Sequence, residues 1–423
     1  MYRIEKMPNG LTVVVAEMPA RDSVAVGIWV KVGARYEQLR ISGIAHFTEH
    51  LLFKGTKTRS ARKIKESIEG LGGVFNAFTG EESTCYFVKI LKDHFELTFD
   101  VLADMINHSL FRPQDIERER TVILEEIKMY QDLPQQFVQE RMNQLLWPDQ
   151  SLGRNVAGTL ETVSGIKHAD FLDFNRKFYH PSNLLVTVCG DVPAEHVIEQ
   201  AQKHFSGNRA GQPSRFSPAN SSQNRPRFDF FTKETEQTHV VIGFHGPART
   251  NTEKFKIALL NIILGGNMSS RLFEEVREKR GLSYEIKSSL YFFQDAGGFT
   301  VSEGVEKKKL PLSIRVILNE LRKIRNKPVG EQELRRAKDY YLGQLYLALE
   351  DTLDQMVWLG EKVMYLGEPP TREEIREKIE AVTARDIQAI AGRYLRTNNL
   401  NLAVVGPTPK DVQKQIKDDF YIE

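Results

Sequence analysis

The chain has 423 residues, more than one ordinary hydrophobic core accommodates, and its 41% hydrophobic and 27% charged content is that of a globular protein. Lys and Arg (58) nearly balance Asp and Glu (56), leaving +2, so no strong field points toward nucleic acid or an anionic membrane. Cys85 and Cys189 are too few for a disulfide framework and form no CxxC pair, which excludes structural zinc fingers.

Strand patterns open the chain at LTVVVAE (11–17) and SVAVGIWVKVG (23–33), followed by helical periodicity from about 42 to 70, a hairpin-like pair of strands, long helices, and the apolar run LLVTVCG (184–190). Residues 206–227, SGNRAGQPSRFSPANSSQNRPR, are rich in Gly, Pro, Ser and Asn without apolar periodicity, as in a linker. The same order then repeats: HVVIGF (239–244), helices from about 253 to 279, SYEIKSSLYFF and GGFTVSEGV, more long helices, and NLAVVG (401–406). No run of about 18 apolar residues suggests a membrane span, and MYRIEKMPNGLTVVVAE has neither a signal-peptide nor a transit-peptide pattern, so a cytoplasmic location is expected.

The repetition extends to sequence. FYHPSNLLVTVCGDV (178–192) is echoed by YLRTNNLNLAVVGPT (394–408), and the preceding helical segments, ETVSGIKHADFLDFNRK (161–177) and IEAVTARDIQAIAGR (379–393), also correspond. Asn183 and Asn399 occupy matching places, 216 residues apart, about half the chain. A duplicated module of about 210 residues is expected, with halves at 1–208 and 226–423 and a linker at 209–225. Clustered strands interleaved with helical pairs predict an α+β fold in which helices cover one face of a mainly antiparallel sheet.

The segment with the clearest chemistry is HFTEH at 46–50. On a helix, His46 and His50 project from one face on successive turns, close enough to share an ion, and Glu49 lies on the same side. The order HxxEH is the inverse of HExxH and is used by the inverzincins. With 10 His and 56 acidic residues in 423, chance supplies about 0.03 such strings.

Catalytic zinc commonly takes three protein ligands, so a third is needed. The helical stretch 113–134 offers Glu117, Glu119, Glu125 and Glu126, among which spacing alone does not choose. Glu119 and Glu126 share a face with Val122 and Ile123, whereas Glu117 and Glu125 fall with Arg118, Arg120 and Lys128 on the more solvated side. The other eight histidines have no partner four residues away with an acid between, and ALLNIILGG (258–266), counterpart of the HFTEH helix, has no ligand, so one metal site per chain is expected. GGNMSSRLF near residue 265 lacks the GKS/T of a phosphate loop.

HFTEHLLFKGT, LGGVFNAFTGEESTCYF (71–87), ERERTVILEEIKMYQDLP and SSRLFEEVREKRGLSYEI (269–286), in this order, resemble the M16 metallopeptidases, the pitrilysin and insulin-degrading group, and especially its processing peptidase β-like branch. The resemblance implies a clamshell of two homologous modules and a zinc site formed by His46, His50 and Glu126, the last 76 residues beyond His50. It implies Glu49 as general base, Glu119 as a supporting catalytic carboxylate, and Asn76, Ala77 and Phe78 as a strand edge onto which an unfolded peptide adds. Arg277 and Tyr284 correspond to a substrate-contacting pair from the second module. The function it implies is a zinc endopeptidase acting on unfolded peptides or leader segments, as a homodimer or with an M16-like partner subunit. The alternative is a noncatalytic scaffold subunit, which such families also contain; the intact site residues favour the enzyme.

Overall fold

The computed structural model describes residues 2–208 and 210–422; Met1, Glu423 and Arg209, the first residue of the expected linker, lie outside the described residues. The strands are β1 (Tyr2–Lys6), β2 (Thr12–Glu17), β3 (Ser23–Val30), β4 (Val74–Thr79), β5 (Thr84–Leu91), β6 (Leu184–Gly190), β7 (Arg227–Phe231), β8 (Thr238–Gly246), β9 (Ser283–Phe292), β10 (Gly297–Val305) and β11 (Asn401–Val405). Helices of the first half are α1 (Ile44–Leu52), α2 (Ala61–Glu69), α3 (Phe95–His108), α4 (Pro113–Asp132), α5 (Pro134–Leu146), α6 (Leu160–Gly165), α7 (His168–Phe178) and α8 (Ala194–Phe205). Those of the second are α9 (Lys254–Gly265), α10 (Leu310–Asn326), α11 (Glu331–Ala348), α12 (Thr352–Leu366), α13 (Arg372–Glu380), α14 (Ala384–Tyr394) and α15 (Lys410–Asp419).

Two compact units result. The first comprises Met1–Lys128, Arg154–Ser217 and Tyr346–Pro369; the second comprises Met129–Gly153, Pro218–Leu345 and Pro370–Glu423. Each contains one mixed sheet and is α+β, as the element order predicts. The first sheet runs β1-β2-β6-β3-β5-β4 and the second β7-β11-β8-β10-β9. Among the described residues each has one parallel pair, β2 with β6 and β7 with β11, beside antiparallel neighbours.

In the first unit, β3 and β6 are buried almost throughout, which explains why they read as continuous apolar runs rather than alternating ones. One face of the sheet, with Val13, Val26 and Ile28, packs against Phe47 and Leu51 of α1, Phe99 of α3 and Phe171 of α7. The opposite face, with Val14, Ala25, Trp29 and Leu185, is covered by Met356, Leu359 and Val363 of α12. A methyl group on Gly360 would come within 2.3 Å of the Trp29 ring, so glycine lets α12 lie close.

The second unit has the same plan. Helices α9, α10 and α14 form its helical layer. Val138, Met142 and Leu146 of α5 pack on Val241, Ala403 and Val405 across the other sheet face. Each sheet is therefore flanked on its second face by a helix encoded in the opposite half of the sequence. The compact units differ from the contiguous halves 1–208 and 226–423 by this exchange of segments 129–153 and 346–369.

The asparagines of the sequence echo have matching tasks. Asn183 Nδ2 donates to the carbonyl of Phe178, and Asn399 Nδ2 to that of Tyr394, each five residues earlier, where a helix turns into a central strand. The expected linker is not uniformly free: Phe216 stacks beneath the Arg35 guanidinium at 3.8 Å and Ser214 Oγ donates to Asn183 Oδ1.

Candidate metal centre

Helix α1 begins at Gly43, whose φ of 97° favours glycine, and no side chain at that position caps the helix. The cap comes from Glu37 instead: its Oε2 accepts from the Gly43 N–H and its Oε1 from the Ala45 N–H, both at 2.7 Å. Burial pushes the Glu37 carboxyl up to about 8, against these backbone bonds and Arg154, which pull it down. Ile44, Phe47, Leu51 and Leu52 sink into the core and fix the helix, leaving His46, Glu49 and His50 on its half-buried face.

Glu126 reaches this face from α4. Its carboxylate oxygens lie 3.8 Å from His46 Nε2 and 3.7 Å from His50 Nε2. These separations are too long for hydrogen bonds. They approach the spacing of about 3.4 Å that tetrahedral ligands adopt when each sits about 2.1 Å from a shared ion. Burial, and secondarily His50, lowers the His46 pKa to about 4, so its imidazole is neutral and able to ligate near neutral pH. Among the described residues these three form the one group of His, Cys, Asp or Glu side chains arranged to hold a metal.

His50 is oriented by its other nitrogen. Nδ1 lies 3.1 Å from Glu119 Oε2, while Glu119 Oε1 pairs with Lys54 Nζ at 2.6 Å. Burial raises the Glu119 carboxyl, but the bonds from His50 and Lys54 outweigh it and hold the group below the usual range. A charged Glu119 fixes Nδ1 as the protonated nitrogen and frees Nε2 for a metal.

Glu49 receives the Thr79 hydroxyl on Oε2 at 2.6 Å. Burial raises its pKa, with Thr79 and His50 opposing and Glu126 adding to the rise. A cleft of about 270 Å³ opens beside Glu49 and His50, with Phe53 and Phe75 against it and Lys65 and Glu69 on its wall.

Strand β4 is the edge of the first sheet. Its residues alternate, so Phe75, Ala77 and Thr79 turn toward α1 while Asn76 and Phe78 turn the other way; Phe75 packs on Phe53 at 5.0 Å and Phe78 on Trp29 at 5.5 Å. The Ala77 N–H donates to Asn76 Oδ1. Asn76, Ala77 and Phe78 are thus on the same unit as the metal-site residues.

Arg277 and Tyr284 belong to the second unit. Arg277 lies in a π-helical segment, Phe273–Glu278, with its guanidinium 4.7 Å from the Tyr284 ring and 4.6 Å from Phe273. Tyr284 is 78% exposed and borders a cleft of about 590 Å³ that also contacts His239 and Tyr291.

Three contributors were not visible in the sequence: Glu37, Lys54 and Thr79. Glu37 caps a helix from six residues upstream of Gly43, outside any local capping spacing, and the Lys54–Glu119 and Thr79–Glu49 bonds join residues distant in sequence. On α4, Val122 is half exposed while Ile123 is fully buried, so the inward face runs through Ile116, Glu119, Ile123 and Ile127 and not through Val122.

Fold and site together define a two-module α+β chain whose first module brings two imidazoles and a carboxylate close enough to hold a metal ion. Comparison with known proteins places it further. Residues 12–160 match the family model described as insulinase, peptidase family M16, and residues 165–341 match that of the peptidase M16 inactive domain. An uncharacterized zinc protease of Rickettsia felis is 37% identical over 407 residues, covering 96% of this chain and 98% of its own. The uncharacterized zinc protease YmxG of Bacillus subtilis is 35% identical over 404 residues, covering 95% and 97%. A protease from Helicobacter pylori shares the fold with a TM-score of 0.89 at 23% identity, over 96% of this chain and 99% of that one. A peptidase M16 inactive domain from Pseudomonas fluorescens does so with a TM-score of 0.88 at 19% identity, over 97% and 98%. The chain belongs to peptidase family M16. Among the described residues no helix is long and apolar enough to cross a membrane.

Proposed function

We propose that the protein is a zinc-dependent endopeptidase with one metal site per chain, held by His46, His50 and Glu126. The observation that carries this reading is the convergence of the two Nε2 atoms on the Glu126 carboxylate with Glu49 beside them. The relatives named zinc proteases support the choice of metal. When bound, zinc supplies a Lewis acid that brings water near neutral pH within reach of deprotonation.

The residues divide the remaining work. Glu49 takes a proton from the attacking water and returns it to the leaving amine nitrogen. Glu119 holds His50 in orientation, and Lys54 holds Glu119. An extended peptide adds to β4, where its carbonyl replaces Asn76 Oδ1 as acceptor for the Ala77 N–H, with Phe78 alongside. Such backbone pairing selects unfolded segments and is lenient about side chains. Arg277 and Tyr284 contribute further substrate contacts from the second module, and pairing with a second copy or an M16-like subunit in the cytoplasm completes the reading.

The test is chelation and replacement. Cleavage of unstructured peptides is expected to stop when the ion is stripped and to return with stoichiometric zinc. Cleavage that persists in the stripped protein overturns the proposal.

A further inference from the structure

Thr79 ends the edge strand β4 and faces Thr84 across the β4–β5 ladder. Its Oγ1 is 2.6 Å from Glu49 Oε2 and 3.4 Å from the Thr84 hydroxyl. Thr84 Oγ1 is 3.0 Å from the Val32 carbonyl, which accepts only, so the single Thr84 proton goes there. The Thr79 proton is left for Glu49 Oε2, which accepts it, and the direction of that bond is fixed.

We infer that Thr79 is a positioning residue for the general base. Its hydroxyl occupies Glu49 Oε2 and leaves Oε1 to collect the water proton and to release it to the leaving amine nitrogen. The assignment follows from strand geometry: the period-two alternation that turns Phe75 and Ala77 toward α1 turns Thr79 the same way, at the level of Glu49. Without the hydroxyl, the half-buried carboxylate is free to rotate about its last torsion and shares its two oxygens between productive and unproductive orientations.

This inference rests on the peptidase reading above. The test measures kcat and KM for one unstructured peptide with wild type, Glu49→Gln, Thr79→Val and Thr79→Ser, each with zinc content and Tm. Thr79→Val is expected to lower kcat about 10- to 100-fold, with KM, zinc content and Tm near wild type, and Thr79→Ser to restore most of the loss. Should the valine variant not fold, Thr79→Ala against Thr79→Ser gives the same contrast. A valine or alanine variant as fast as wild type, or a serine variant as slow as either, overturns the inference alone. A wild type no faster than Glu49→Gln overturns the peptidase reading and the inference with it.

Discussion

Glu125 and Glu126 are neighbours on α4 that point about 100° apart, and this rotation separates two chemistries. Glu126 meets both imidazoles, whereas Glu125 is 67% exposed and pairs with Lys128 at 2.7 Å. Glu126→Gln is expected to weaken zinc binding at least 100-fold in a chelator competition and Glu125→Gln to leave it unchanged; equal losses would contradict the ligand set. Lys54→Met, by loosening Glu119, is expected to weaken zinc about 10-fold, the lower end of effects through a ligand's supporting bonds.

Another buried residue makes stability depend on pH. Glu303 lies inside the second unit with Ser313 Oγ on Oε2 and, among the described residues, no partner on Oε1, and burial raises its pKa to about 7, against Ser313. The folded state then holds more protons than the unfolded chain between about 4.5 and 7, so this contribution is full below pH 4.5 and is lost as pH rises through 7. The change is on the order of 3 kcal/mol. Denaturant unfolding at pH 5 and pH 8 is expected to differ more for wild type than for Glu303→Gln, and equal pH dependence would contradict the assignment. At this scale the sequence was legible where chemistry is local, as in HFTEH. It was silent where a partner arrives from a distant strand, as with Thr79 and Glu49.

At the scale of elements, α1 is held at its start by the Glu37 carboxyl group rather than by its own N-cap. Glu37→Ala leaves two helix N–H groups buried without an acceptor, a cost on the order of 3 kcal/mol. It is expected to lower Tm measurably in the metal-free protein, and an unchanged Tm would show that other groups satisfy the helix. The HFTEH helix itself was visible from spacing, because its apolar residues recur at core positions. The equivalence of Asn183 and Asn399 was visible too, because each satisfies a helix-end carbonyl beside a central strand and leaves the same signature twice. The π-helical turn bearing Arg277 left none, since one extra residue per turn does not alter the apolar pattern enough to read.

At the scale of the molecule, the halves of the sequence and the compact units do not coincide. Helices α5 and α12 read as ordinary amphipathic segments, and nothing local states which sheet each covers; only packing decides. The face of the first sheet bearing Trp29, Ala25 and Leu185 is therefore uncovered in a fragment of residues 1–208. That fragment is expected to bind a hydrophobic dye or aggregate, and addition of 346–369 in the same chain to relieve this. A fragment 1–208 that unfolds cooperatively near the Tm of the whole protein would contradict the exchange.

The most direct measurement compares zinc-loaded wild type with Glu49→Gln on a mixture of unstructured peptides, reading products by mass spectrometry alongside metal content. One zinc per chain in both proteins, with internal cleavage by wild type and at least 1,000-fold less by the variant, is the result expected from a general base beside a metal. Equal metal content with no cleavage by wild type above the variant would contradict it and make the chain a metal-holding but noncatalytic M16 subunit.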